Sequence, residues 1–175
     1  MAKYGRVSTR VSTREREPGS ESVYQRHVKA RQEFIQRNLT GKIVIKSTER
    51  PWDITRQGKV KHYLYPNVFS DTALQEWQVF LNDIKTHTGS HRHQGGLAIY
   101  VLEGRGYTLI DGRRHDWKKG DLILLPLKPN GVEHQHFNTE QGAGCRWVAF
   151  IFMPMYDQVA SFTEQITDSP IYTGQ

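Results

Sequence analysis

Five of the eight histidines in this 175-residue chain fall into two tight groups: His87, His91 and His93, then His134 and His136. Alternate residues of an extended strand point the same way and lie roughly 6.6 Å apart along it. His91 and His93 can therefore aim both imidazoles at one point, and so can His134 and His136. A second strand crossing opposite the first would bring the two pairs together. Neutral imidazole suits Fe, Zn, Cu, Ni and Mn in varying degree, so this spacing points to a divalent metal without choosing it. An isolated His-x-His also arises by chance among surface or hydrogen-bonded core residues, and its surroundings must decide.

Strands are needed to hold such pairs, and the chain from Gly41 onward supplies them. Ile43-Val44-Ile45, Lys61 to Tyr65, Trp77 to Ile84, Leu97 to Glu103, Tyr107 to Ile110, Leu122 to Leu125, Val132 to Asn138 and Arg146 to Met153 are short apolar or alternating runs. Each is bounded by Gly, Pro, Asp or Asn. Asp111-Gly112 is a two-residue hairpin signal between Thr108-Leu109-Ile110 and Arg113-Arg114-His115. Many strands at close spacing without intervening helices predict an all-β, antiparallel barrel or sandwich. After Pro154 the pattern is mixed, and Tyr156 to Ile166 reads as a short outer helix.

The histidine groups sit in longer signatures. The first is Gly89-Ser90-His91-Arg92-His93-Gln94-Gly95-Gly96-Leu97, running into Ile99-Tyr100-Val101-Leu102-Glu103-Gly104-Arg105-Gly106. The second joins Gly120-Asp121-Leu122-Ile123-Leu124-Leu125-Pro126 to Gly131-Val132-Glu133-His134-Gln135-His136-Phe137-Asn138. Together these resemble the two motifs of the cupin superfamily. The family's first motif has a His-x-His pair, a Glu four residues on and a Gly seven beyond that. Its second has Gly, five residues, Pro, and then a His followed four residues later by Asn. His91, His93, Gly104, Gly120, Pro126, His134 and Asn138 fit. The resemblance spans residues 75–153 and implies a single antiparallel cupin β-barrel or jelly roll with a metal on His91, His93 and His134.

The family's Glu ligand would fall at Leu97. Gentisate and salicylate 1,2-dioxygenases are cupins that lack this Glu and bind iron through three histidines. The run after His93, the Val-Leu-Glu-Gly-x-Gly-Tyr stretch and the second His-x-His-x-Asn look most like that group. The resemblance thus implies Fe(II), with Mn, Ni, Zn or Cu as other occupants, and O₂ with a small anionic hydroxylated aromatic or enolic substrate as partners. A physical argument runs beside it. Three neutral ligands leave a divalent ion its full charge, whereas two histidines and one carboxylate leave it +1. An uncompensated ion in a low-dielectric interior favours an anionic, chelating ligand. A non-redox isomerase or lyase, with the metal as Lewis acid, is the rival enzyme reading. A ligand-sensing cupin without catalysis is the non-enzymatic one.

Other residues are placed by alternation. His136 shares the face of His134; it could be a fourth ligand, but a role in the pocket as a donor or acid/base is favoured, because a catalytic metal keeps positions open. Arg92, Glu133 and Gln135 should point away. Either Gln78 and Phe80 or Trp77 and Val79 should line the interior, depending on register. Arg146 either anchors a carboxylate or ends its strand at the rim. His87 belongs in a loop, His115 on the surface, and Cys145 among packed small residues.

Nine of the 24 Lys and Arg residues, against four of the 18 acids, lie in residues 1–40. The net +6 is therefore mostly a property of that end. Residues 1–20, with the near-repeat Arg6-Val7-Ser8-Thr9-Arg10-Val11-Ser12-Thr13-Arg14, read as a basic flexible arm. Few aromatics are interleaved and no helix-turn-helix pattern is apparent, so nucleic acid is not expected as a partner. Residues 21–41 read as a helix opened by a Ser22/Gln25 capping box and stopped at Gly41. Its stripe of Val23, Tyr24, Val28, Phe34, Ile35 and Leu39 must be covered by the barrel or by a partner subunit. That stripe and the cupin resemblance lead to the expectation of a homodimer. Residues 42–175 form the β domain. One cysteine, no membrane-length apolar run and no apolar signal core fit a cytoplasmic protein.

Overall fold

The computed structural model describes residues 21–66, 68–140, 142–159 and 162–174. The basic arm expected over 1–20 lies outside them. Among the described residues eleven strands, numbered in chain order, build two antiparallel sheets. The first runs β1 (Asp53–Thr55), β2 (Gly58–Leu64), β3 (Trp77–Asp83), β10 (Arg146–Phe152), β5 (Leu97–Glu103) and β8 (Leu122–Leu125). The second runs β11 (Thr163–Thr167), β4 (Ser90–His93), β9 (Val132–Asn138), β6 (Arg105–Ile110) and β7 (Arg113–Lys118). The strand ladders do not join the two sheets into one closed barrel, so the jelly-roll form of the expectation holds. Alternation puts Val60, Ile99, Val101, Val132, Trp147 and Ala149 into one core cluster, as expected for sheets packed face to face.

Three expected devices appear as read. Asp111 (φ 48°) and Gly112 (φ 77°) both take positive φ and pair Ile110 with Arg113 across the β6–β7 hairpin. That is the turn whose twist matches the strands it joins. The capping box is present: Ser22 Oγ accepts from the Gln25 N–H at 3.0 Å, and Gln25 Oε1 accepts from the Ser22 N–H at 2.8 Å. It opens α1 (Val23–Thr40), which ends at Gly41.

One expectation is narrowed and two need correction. No residue of α1 is buried, so the barrel surface is not what covers its apolar stripe. Ile43-Val44-Ile45 form no strand; Ile43 is 83% exposed and Val44 73% exposed. β-branched residues make a strand only where a neighbour offers a ladder, and here only Lys42 bridges to Thr72. The tail does not form a helix over Tyr156 to Ile166. A short α2 (Met153–Gln158) gives way to β11, which completes the free edge of β4. Backbone pairing along an open edge outweighs weak helix propensity there. No helix among the described residues is long and apolar enough to cross a membrane.

Candidate metal centre

β4 and β9 pair in a register that sets His91 directly opposite His134 and His93 opposite Val132. The rings of His91 and His134 lie 4.1 Å apart between centroids, and those of His93 and His134 4.8 Å apart. One nitrogen from each of the three falls within 4.8 Å of the others. All three side chains are buried, on a face shared with His136 but not with Arg92, Glu133 or Gln135. Arg92 instead reaches outward to Glu133 at 3.0 Å. Just past β4 the backbone runs close against Pro126 at Gly95. A Cβ there would sit 1.9 Å from the Pro126 carbonyl oxygen, and its φ of +85° suits glycine.

Hydrogen bonding fixes which nitrogens are free. The Nδ1–H of His91 donates to the Gly89 carbonyl at 3.4 Å, and that of His134 to the Val132 carbonyl at 3.2 Å. Each ring therefore offers an Nε2 lone pair, the usual arrangement for a metal-binding histidine. His93 differs. Its Nδ1 accepts from the Gly95 N–H at 2.9 Å, so in the neutral ring the proton sits on Nε2. That hydrogen bond must be exchanged before Nε2 of His93 can donate to an ion. With that one change, three buried neutral nitrogens fit a divalent transition metal.

Burial holds the cluster neutral. It pushes His91 down to about 4 and, with the neighbouring His91, brings His93 to about 4 as well. His134 lies well below its ordinary value for the same reason, reinforced by the surrounding imidazoles. His136 is brought to about 3, again chiefly by burial. No protonation competes with a metal near neutral pH.

His136 stays outside the three-nitrogen group. Its Nδ1 lies 2.7 Å from Thr108 Oγ1, which accepts the Trp117 Nε1–H at 2.8 Å. The threonine's own hydrogen then has His136 Nδ1 as its acceptor. This places the imidazole proton on Nε2, making His136 a hydrogen-bond donor rather than a lone-pair donor from that atom.

A cavity of about 200 Å³ holds all four histidines. Leu97, 7% exposed, forms part of its wall. Among the described residues no acidic, lysine or arginine side chain lines it. The register question is settled in favour of Gln78 and Phe80, both on the cavity wall. Tyr156, Met153 and Thr163 also line it, from the chain after β10. Sequence reasoning passed over them because they are far from either motif and carry no spacing signal. Arg146 is at the rim, paired with Glu103 on the outer side of the sheet. His87 sits in a loop bridged to Phe137, His115 is exposed, and Cys145 is buried.

Comparison with known proteins bears on the same segment. Residues 83–151 match the family model described as Cupin domain. An uncharacterized protein of Methanocaldococcus jannaschii is 32% identical over 84 residues, 46% of this chain and 66% of that one. A gentisate 1,2-dioxygenase of Ralstonia sp is 42% identical over 48 residues, 27% of this chain and 13% of the enzyme. This chain therefore spans less than two thirds of the length of either relative. In fold it resembles the polyketide cyclase RemF of Streptomyces resistomycificus, with a TM-score of 0.54 at 16% identity. That match covers 74% of this chain and 88% of the cyclase.

Proposed function

Residues 83–151 of this chain are a cupin domain, and from that premise we propose that it is a metal-dependent dioxygenase acting on a small anionic hydroxylated aromatic or enolic compound. The observation that carries the reading is the donor set. His91, His93 and His134 converge, and the position where a carboxylate ligand is expected holds Leu97. Fe(II) is the proposed ion, with Mn, Ni, Zn or Cu able to occupy the same nitrogens. Bound Fe(II) supplies the redox chemistry that O₂ requires to react with such a compound. The local identity to a gentisate 1,2-dioxygenase supports this choice of chemistry.

The chain's own residues then have separable tasks. The three histidines hold the ion without cancelling its charge, which leaves an anionic group on the ligand as the balancing charge. His136 presents its Nε2–H to that anion, and Thr108 and Trp117 behind it keep the proton on that atom. Leu97, Phe80, Ile99 and Ile151 form an apolar stretch of the wall that suits a flat ring, beside the polar Gln78, Asn82 and Thr88.

Metal analysis after anaerobic purification, followed by O₂ uptake against hydroxylated aromatic acids, tests the reading. The expected result is one Fe(II) per chain and O₂ consumption with at least one acid. A protein that binds no transition metal, or one that binds Fe(II) and consumes no O₂ with any anionic aromatic or enolic acid, overturns it.

A further inference from the structure

Among the described residues three buried side-chain nitrogen or oxygen atoms have no hydrogen-bond partner: Asn82 Oδ1, Trp147 Nε1 and Arg37 Nε. Arg37 belongs to α1, but the other two residues wall the same cavity as the four histidines. Folded proteins pair nearly all of their buried polar groups, so two unpaired ones on a single cavity wall call for a reason. The sheet makes the case sharper. Val60, Asn82, Trp147 and Val101 stand side by side on β2, β3, β10 and β5. None of the four is more than 3% exposed, and Asn82 interrupts a row that is otherwise apolar. A leucine at position 82 would continue that row without burying an unpaired amide oxygen.

The two groups are held together. Asn82 and Trp147 are directly opposite each other in the β3–β10 ladder, where side chains on one face have Cβ atoms ~5 Å apart. The indole is wedged between rings, its centroid 5.8 Å from that of Phe80 and 4.9 Å from that of His136. What such a pair can recognise follows from its chemistry. An indole N–H only donates, and an amide oxygen only accepts. One ligand atom satisfies both if it accepts and donates at once, which describes a neutral hydroxyl. A carboxylate oxygen would be repelled by the amide oxygen, and a ring C–H would leave both groups unpaired. An aromatic amine donates but accepts poorly, because its lone pair is shared with the ring.

We propose that Asn82 and Trp147 select for a neutral hydroxyl on the ligand, distinct from the groups that meet the ion and the His136 Nε2–H. This deepens the function proposed above: it rests on a small acid entering this cavity, and on nothing about iron or O₂. The hydroxyl accepts from Trp147 Nε1–H and donates to Asn82 Oδ1. A site that buries partners for a hydroxyl discriminates against the analogue lacking it, because both partners are then left unpaired. The pair therefore chooses among acids that the metal alone would take equally well.

Titration calorimetry on the full chain loaded with Zn(II) tests this, comparing salicylic acid with the dihydroxybenzoic acids that retain its 2-hydroxyl. At least one dihydroxy isomer is expected to bind the wild type about tenfold or more tightly than salicylic acid does. Asn82→Leu and Trp147→Phe are each expected to bring the two dissociation constants within about twofold of each other. The indole N–H resonance of Trp147, assigned on the wild type, should shift with that isomer and not with salicylic acid. That resonance also decides the matter should either variant fail to fold. If salicylic acid binds and no isomer binds more tightly, the hydroxyl site is overturned while the function proposed above stands. A preference that survives both substitutions overturns it too. So does an indole resonance that stays put in every titration, since the pair then holds only a water. A chain that binds none of these acids overturns that function, and the hydroxyl site with it.

Discussion

Thr108 and His136 face each other across the β6–β9 ladder, and the threonine hydroxyl lies 2.7 Å from the imidazole Nδ1. The same hydroxyl accepts the Trp117 Nε1–H, so the three buried groups satisfy one another and leave the His136 Nε2–H facing the cavity. A buried polar group that loses its partner costs about 1–3 kcal/mol. Thr108→Val preserves shape but strands both the indole N–H and the imidazole nitrogen. We expect it to lower unfolding free energy by about 2 kcal/mol in urea titration, and Thr108→Ser to recover most of the loss. The variant should also raise KM for an anionic acid more than it lowers kcat, because the His136 proton is no longer confined to Nε2.

Cys145 is fully buried, and burial with the nearby acids Glu140, Asp83 and Glu103 pushes its thiol up to about 12. The thiolate is the reactive form, so at mildly alkaline pH this cysteine holds roughly a thousandfold less of it than an ordinary thiol. Native protein is expected to resist a thiol-reactive disulfide reagent and to react stoichiometrically in denaturant. Rapid labelling of the native state would show that the segment after Gly144 opens.

The two motifs were legible in the sequence because each is local. His91 with His93, and His134 with His136, need only the two-residue period of a strand, and β5 and β9 fall on the residues that alternation assigns to them. What joins the motifs is a ladder between residues some forty positions apart, His91 to His134, and no local pattern encodes it. The cavity wall beyond the histidines is less legible still. Tyr156 and Thr163 come from a segment read as helix, whose strand β11 exists only because β4 offers it an edge. Ile43-Val44-Ile45 fail in the converse way: β propensity is present but no neighbouring strand receives it. The tautomers of His93 and His136, which separate a ring that must exchange a hydrogen bond from one that donates, follow from Gly95 and Thr108 and are invisible without coordinates.

Acid should unfold the metal-free protein early. His91 and His93 are held near 4 and His136 near 3, against an ordinary value of 6.5 in the unfolded chain. Between those limits the unfolded state binds more protons than the folded state, so stability rises with pH. The contribution is fully present above pH 6.5 and is lost as pH falls toward 4. Each group contributes roughly 1 kcal/mol per pH unit across that window. Chelated protein is expected to lose several kcal/mol between pH 6.5 and 4.5 in denaturant titrations, and His136→Gln to flatten the slope. A stability that does not change over that interval would mean the imidazoles are solvated in the fold.

Leu97 gives the sharpest test of why the proposed metal would prefer anions. It lies on the cavity wall with the three histidines, and its backbone stands between Ile151 and Leu125 in the first sheet. Leu97→Glu would place a carboxylate beside the ion, cancel one of its two charges and fill a position otherwise open to a ligand. Fe(II) binding is expected to persist, since a carboxylate is itself a ligand, while affinity for a hydroxylated aromatic acid falls at least tenfold. Without metal the same substitution buries an unpaired carboxyl, which is costly. The thermal midpoint of the variant should therefore depend on metal more steeply than that of the wild type. Leu97→Gln separates charge from occupancy, because it adds a polar group of similar size without the negative charge. If Leu97→Gln weakens acid binding as much as Leu97→Glu does, steric blockage explains the loss and the uncancelled charge of the ion does not select the substrate.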